Sequence, residues 1–157
     1  MKIKTTLLKL VTAILDLFIA FFVYALCWGT ISSIVEDSVF SLQLMSSIFL
    51  FIGALIAFGI SFYLFKIFRL MDRQQFFTEV SLHAVKMIRN LFVVEFLALL
   101  GIMPFVYYSA DQGDSPGMII IVGAIVFLPL AISAFISAME QILIKAINMK
   151  TENDLTI

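Results

Sequence analysis

Four apolar runs, each long enough to cross a lipid bilayer, constrain this chain more than any other feature of its sequence. They cover residues 10–34, 42–65, 90–108 and 118–139. A transmembrane helix needs about 20 apolar residues, because the hydrocarbon core of a bilayer is about 30 Å thick. The chain has 157 residues, of which 62% are hydrophobic and 13% charged, and a soluble core could not hide so much apolar side chain. The sequence therefore predicts an all-α polytopic membrane protein, a four-transmembrane-helix bundle that forms a single membrane domain.

Positive charge is confined to one side of these runs. All ten Lys and Arg residues lie before residue 10, in the central connection 66–89 or in the C-terminal segment 140–157. The other two connections contain no basic residue and four acidic ones: Glu36, Asp37, Asp111 and Asp114. Basic segments beside membrane spans stay in the cytoplasm. We therefore predict that both termini and the central connection are cytoplasmic (N-in/C-in), in the plasma or inner membrane of the cell.

The central connection contains the signal for a further helix. Thr78 followed by Glu79 predicts a helix start, because Thr can cap free N–H groups and Glu suits the positive end of the helix dipole. From there as far as Arg89, apolar residues recur at near-helical spacing with polar residues between them. Two interpretations stay open: an interfacial amphipathic helix that leads into the third span, or a solvated extension of that span. Farther along, Pro129 predicts a bend in the fourth span.

Two carboxyl groups interrupt the apolar runs and are the candidates for chemistry inside the membrane. Asp16 and Glu95 each lie about 10 Å beyond a basic residue at the start of their run. A carboxylate in a span is unfavourable by about 2.5–3.5 kcal/mol at the bilayer centre. We therefore expect both within the bundle, facing each other or sharing a polar pocket. This intramembrane polar site could bind an ion, a proton or a cationic ligand. Alternatively, each carboxyl makes an interhelical hydrogen bond, with Thr12, Ser61 or Ser137 as candidate partners.

The sequence lacks motifs for catalysis, cofactors and metals. One Cys and one His exclude a metal site built from these residues. No H-E-x-x-H, G-x-S-x-G or phosphate-binding glycine loop occurs. An intramembrane enzyme could use Asp16, Glu95 and Glu140, but the signatures of such enzymes are missing. We expect no enzymatic activity, no cofactor, no metal and no direct contact with nucleic acid, since the net charge is −1.

The C-terminal segment carries the motif that points to a family. Glu140, Ala146, Met149 and the closing E-N-D-L-T-I of residues 152–157 resemble the end of the DUF2975 family of bacterial membrane proteins. The resemblance extends over the whole chain, through four spans and a basic central connection with the aromatic turn Gln75-Phe76-Phe77-Thr78. It implies a small four-span membrane protein, often encoded beside a helix-turn-helix regulator of the Xre type. It implies no particular activity.

Polar residues predicted to be cytoplasmic are the candidates for docking a partner. The end of the chain is interpreted as extended, which places Leu155 and Ile157 on one face and suits edge addition or docking in a groove. Alternatively, the tail folds back so that acidic tail residues approach Arg69 or Arg73 of the central connection. The candidate docking residues are Arg69, Arg73, Glu140, Glu152, Asn153, Asp154, Leu155, Thr156 and Ile157.

Three functions are compatible with these features. The mass outside lipid is predicted to be almost all cytoplasmic, which favours a membrane-bound modulator or sensor acting through a cytosolic partner. The family resemblance suggests an Xre-type regulator as that partner. The second function is that of an immunity-type or structural membrane protein. The third is a small transporter or channel that uses Asp16 and Glu95, disfavoured by the scarcity of polar residues in the outer halves of the spans. The lipid bilayer is the first expected partner, and a homo-oligomer is left open.

Overall fold

The computed structural model describes the backbone of residues 2–35 and 41–155, and the side chains of residues 5–35 and 41–152. The described residues form helices and contain no strand. The helices are α1 (Lys2–Val35), α2 (Ser41–Asp72), α3 (Glu79–Leu100), α4 (Met103–Gln112) and α5 (Pro116–Leu155). Four stretches of the described chain are long and apolar enough to cross a membrane: Thr5–Val35, Ser41–Asp72, Glu79–Gln112 and Pro116–Glu152. The protein is therefore a multi-pass, all-α membrane protein, as the sequence predicts.

The helices pack as an open bundle around α3. Helix α3 lies between α2 and α5, and α4 packs on α5 and, less extensively, on α2. In the part of the chain that the structure describes, the extensive contact of α1 is with α2 alone. Helix α1 is therefore peripheral, and most of its apolar side chains are exposed to the surroundings that lipid would fill.

Two apolar clusters join the three inner helices. Ile60 and Ile67 of α2 pack against Ala84 and Ile88 of α3. The second cluster joins Leu82 of α3 to two residues of α5, Leu143 and Ile147. No described residue of α1 belongs to either cluster. Among the residues of α1 whose side chains the structure describes, the two that are buried are both polar, Thr5 and Thr12.

The third span is broken between α3 and α4. Pro104 occupies the first turn of α4 and has no N–H to donate to the carbonyl four residues earlier, so α3 ends at Leu100. At the break, the side chain of Phe49 lies against the backbone of Gly101. A Cβ atom at residue 101 would stand 2.4 Å from the Phe49 ring, closer than real Cβ contacts come. Only glycine allows α2 and the third span to approach so closely here.

Most of the central connection is helical, which revises the predicted loop 66–89. Helix α2 continues to Asp72 and α3 begins at Glu79, which leaves residues 73–78 between them. Gln74 has a positive φ of 59°, and the N–H of Gln75 donates to the carbonyl of Leu70 at 2.9 Å. This is the hydrogen-bond pattern of a Schellman motif, with Gln74 at the left-handed position that glycine normally occupies. The same pattern ends α4, with Asp114 at φ 47°.

The predicted helix start at Thr78 and Glu79 is confirmed, but the proposed capping contact is wrong. Thr78 makes no side-chain cap. Its hydroxyl donates instead to the carbonyl of Gln75 at 2.8 Å. Helix α3 runs without interruption from Glu79 to Leu100, and its first turns bury Ser81 and Leu82. The segment is thus helical and continuous with the third span, as both interpretations predict, and it packs on one face.

The extended conformation predicted for the tail is wrong as far as the structure describes it. Helix α5 passes through Pro129 and continues to Leu155. The tail therefore neither alternates as a strand nor folds back on the central connection before that residue. Thr156 and Ile157 lie outside the described residues. The bend expected at Pro129 stays a prediction.

Candidate functional site

The first carboxyl of the predicted intramembrane site is satisfied by a neighbouring helix. Ser61 of α2 donates a hydrogen bond from its hydroxyl to Oδ1 of Asp16 on α1. Ser61 was one of the three partners that the sequence suggested. Thr12, another of them, donates to the carbonyl of Leu8 on its own helix at 2.9 Å. Asp16 therefore links α1 to α2.

The second carboxyl lies against α2 without such a partner. Oε2 of Glu95 is buried and makes no hydrogen bond with any described residue. A Cβ atom at Gly53 would stand 3.1 Å from Oε1 of Glu95, so the glycine leaves the space that the carboxyl occupies. Glu95 also lines an open-sided cavity of about 160 Å³ between α1, α2 and α3. The other lining residues are Ile19, Phe22, Leu50, Gly53, Ala54, Ala57 and Leu99.

The two carboxyls do not share one pocket, which corrects the expectation drawn from their spacing. Asp16 meets α2 at Ser61, whereas Glu95 meets it at Gly53. These two contact points are eight residues apart, which is about 12 Å along a helix. Glu95 therefore contacts α2 farther from the basic end of the molecule than Asp16 does. The distance from the preceding basic residue misled the prediction because the two basic residues that precede these carboxyls are not level along α2.

An ion pair joins α3 to α5 near the basic end of the molecule. Nη1 of Arg89 donates to Oε2 of Glu140 at 2.6 Å, and the same guanidinium donates to the side chain of Asn90. The Glu140 side chain is 9% exposed and that of Arg89 32% exposed. Glu140, a predicted docking residue, is therefore buried and engaged within the chain. Sequence reasoning missed this pair, although both residues stand where an apolar run meets a basic segment.

Polar side chains follow the contact between α1 and α2 over most of its length. At the basic end, Asp72 forms an ion pair with Lys9 and accepts a hydrogen bond from Thr5 at 2.5 Å. Asp16 and Ser61 come next. Toward the other end, two further pairs meet across the helices: Thr30 with Ser47 at 3.5 Å, and Gln43 with Ser33 at 3.4 Å. We call this set the α1–α2 polar seam. The sequence predicts few polar residues in the outer halves of the spans, whereas these two pairs meet there.

An apolar groove of about 290 Å³ lies on the other side of α3, toward the basic end. It is formed by α2, the 73–78 connection, α3 and α5, and Phe76 and Phe77 lie at its end beside the connection. The other lining residues are Leu64, Ile67, Met71, Val85, Ile88, Ile136, Met139, Ile142, Leu143 and Ala146. None of them carries a charge or a hydrogen-bonding side chain, so the groove suits an apolar occupant.

The remaining predicted docking residues are spread over the basic end. Arg69, Arg73 and Glu152 are exposed. The backbone of residues 153–155 is helical, but the side chains of Asn153, Asp154 and Leu155 lie outside the described set, as do Thr156 and Ile157 altogether. Within the described part of the chain, no group of three metal-binding side chains forms.

Comparison with known proteins gives two findings. A family model described as "Protein of unknown function (DUF2975)" matches residues 3–157. The chain is also 31% identical over 110 residues to the "Uncharacterized membrane protein YoaS" of Bacillus subtilis (strain 168). That match covers 70% of this chain and 69% of the relative. No solved structure matches the chain.

Proposed function

This chain belongs to the DUF2975 family, and from that premise we propose that it is a membrane-bound modulator or sensor that acts through a cytosolic regulatory protein. The observation that carries the proposal is that the helices extend farther beyond the predicted spans at the basic end of the molecule than at the opposite end. A span needs about 20 residues, whereas α2 has 32 and α5 has 40. The additional turns lie at the basic end, where α2 runs on past Lys66 and α5 past Glu140.

The distribution of charge supports a cytoplasmic position for this end. Lys and Arg resist translocation, so the basic end stays in the cytoplasm while the acidic turns are exported. The protein mass outside lipid is then on the side where a cytosolic regulator could reach it. At the opposite end, residues 113–115 connect α4 to α5 in a tight turn, which offers little surface to a large partner.

The surface at the basic end combines charge with exposed apolar area. Arg69 and Arg73 are exposed on α2 and just after it, and Phe77 is 50% exposed beside the apolar groove. A regulator with acidic residues around an apolar anchor would complement this surface, because aromatic and Arg side chains dominate the energetics of protein interfaces. The family resemblance suggests a helix-turn-helix protein of the Xre type as the first candidate. Residues 152–157 are the second element that we propose for this contact.

Site-specific photo-crosslinking tests the proposal in the native membrane. A photoreactive amino acid replaces Phe77 in the full-length chain, and the matched control replaces Tyr107, an exposed aromatic residue of α4 near the opposite end. We expect a helix-turn-helix regulator to crosslink at position 77 and not at position 107. The absence of a soluble protein adduct at 77, or the same adduct at both positions, would contradict the proposal.

Charge reversal then tests whether the surface recognises its partner. The double substitution Arg69→Glu and Arg73→Glu should reduce the adduct at position 77, whereas Lys145→Glu with Lys150→Glu on α5 serves as a control of equal charge change. Removal of residues 152–157 should leave the spans inserted and weaken the same adduct. A reporter fusion for each variant confirms that its orientation in the membrane is retained, because fewer positive charges also weaken the topology signal.

A further inference from the structure

We propose that the cavity between α1, α2 and α3 binds a small organic cation with an apolar body, and that the Glu95 carboxylate is its counterion. The cavity lies in the middle of the predicted spans, away from the apolar groove and from the proposed docking surface. The proposal is therefore independent of the cytosolic partner.

The Glu95 side chain supplies the first argument. Its Oε2 is buried without a hydrogen-bond partner among the described residues, although carboxyl oxygens inside a membrane protein normally find one. Asp16 shows the usual solution, since a serine of the adjacent helix donates to it. Helix α2 offers Glu95 no such donor, because the residue opposite is Gly53. A carboxylate that lines a cavity and lacks a partner is suited to pair with a ligand that brings its own positive charge.

The walls of the cavity supply the second argument. Apart from Glu95, every lining residue is apolar or glycine, including the aromatic Phe22. Small residues of α2, namely Gly53, Ala54 and Ala57, create the space. In a membrane protein such residues often serve close helix packing, but here the helices leave a cavity of about 160 Å³ beside them. Apolar walls with one orienting polar group are typical of sites for small organic ligands.

The chemistry of the cavity disfavours a bare metal ion. Hard cations such as Ca²⁺ and Mg²⁺ require several oxygen ligands, and the described residues contain no group of three metal-binding side chains. An organic cation differs because its apolar groups contact the walls while one carboxylate balances the charge. An aromatic residue such as Phe22 adds favourable cation–π attraction.

Binding of benzyltrimethylammonium to the full-length chain in lipid nanodiscs tests the proposal. This probe carries a permanent charge, and neopentylbenzene is its neutral isostere of the same shape. We expect saturable binding of the cation, with Glu95→Gln reducing affinity by about ten- to hundredfold, the range typical of a lost charge-assisted contact. The neutral isostere should show no preference for the protein over empty nanodiscs.

Two pairs of variants separate the site from general effects. Gly53→Ala should also weaken binding, because its Cβ would stand 3.1 Å from Oε1 of Glu95, whereas at Gly59 the nearest side-chain atom would be 3.7 Å away. Gly59→Ala is therefore the matched control. Asp16→Asn removes a carboxylate that is already hydrogen-bonded, so this variant should bind the cation as the unmodified chain does.

Several outcomes would overturn the proposal. They are the absence of saturable binding, unchanged affinity in Glu95→Gln, and equal binding of the cation and its neutral isostere. The last outcome would mean that the probe partitions into an apolar site without using the carboxylate. If Glu95→Gln does not fold, the comparison of the two probes on the unmodified chain still decides the question.

Discussion

Asp16, Glu95 and Glu140 lie in three different environments, so removal of the negative charge has a different consequence at each of them. Asp16 accepts from a serine hydroxyl, Glu140 pairs with a guanidinium, and Oε2 of Glu95 has no partner among the described residues. Asn can keep the hydrogen bond of Asp16, so its charge is dispensable for packing. The charge of Glu140 is needed for packing, because its carboxylate is buried beside the guanidinium of Arg89.

The Arg89–Glu140 pair predicts an asymmetric double-mutant cycle. Arg89→Met should lower the free energy of unfolding by about 1.5–3 kcal/mol, because it leaves Glu140 buried and unpaired. Glu140→Met should cost less, since the Arg89 side chain is 32% exposed and can turn its charge outward. The double variant should be more stable than Arg89→Met alone. Unfolding in mixed micelles measures all four proteins, and additive losses would show that the two side chains are not coupled.

The left-handed residue between α2 and α3 predicts a stabilising substitution. Gln74→Gly should raise the free energy of unfolding by about 0.5–1 kcal/mol, because glycine adopts a positive φ without the clash of a Cβ atom. Gln75→Gly is the matched control. The φ angle of Gln75 is not positive, so the substitution only adds flexibility to the unfolded chain and should give no gain. Equal effects at the two positions would contradict the assigned backbone geometry.

At the scale of whole elements, α1 differs from the other long helices in how it is attached. Helices α2, α3 and α5 share apolar clusters, whereas the described contacts of α1 include the α1–α2 polar seam and neither cluster. Lipid is as apolar as leucine, so apolar contact alone does little to hold a helix in place. Interhelical hydrogen bonds are worth about 0.6 kcal/mol each on average in membranes. The seam therefore positions α1 through several modest contacts.

The break between α3 and α4 predicts a glycine requirement. Gly101→Ala should lower the free energy of unfolding by about 1–3 kcal/mol, because the new Cβ would overlap the ring of Phe49. Gly123→Ala is the control, since a Cβ there meets nothing within 4 Å and the substitution also favours helix. Phe49→Leu in the Gly101→Ala background should restore part of the loss. Equal stability of the two alanine variants would contradict this prediction, because it would show that the Phe49 side chain moves away from the new Cβ atom at little energetic cost.

At the scale of the whole molecule, the charge distribution predicts orientation. Reporter domains fused at Gln75 and after Ile157 should be active on the cytoplasmic side, and a fusion at Gly113 should be active outside. A fusion at Asp37, outside the described residues, tests the other acidic turn and should also be active outside. The physical reason is that all ten basic residues flank the spans on one side. Termini on opposite sides of the membrane would contradict the four-span topology.

The sequence alone was sufficient for the fold class, the number of spans and the start of α3. The hydrophobic runs determine the spans because a bilayer accepts helices according to local hydropathy, which neighbouring helices change little. Glu79 begins α3 as its position after Thr78 predicts. The helix ends were less predictable. Residues 66–72 and 152–155 are helical, although their polarity suggested a loop and an extended tail.

Only the tertiary structure decided which polar groups meet. Hydropathy places Asp16 and Glu95 in their spans, but their partners depend on how each helix is rotated and on its longitudinal register against α2. These two quantities follow from packing, such as the close approach of Phe49 to Gly101 and the apolar clusters around α3. Packing therefore brings Asp16 to Ser61, Glu140 to Arg89 and Glu95 to a glycine beside a cavity. The hydrophobic pattern of the sequence determines which segments enter the membrane, because insertion depends on the transfer free energy of each segment by itself. The contacts between helices depend on how all the helices pack together, so only the tertiary structure determines them.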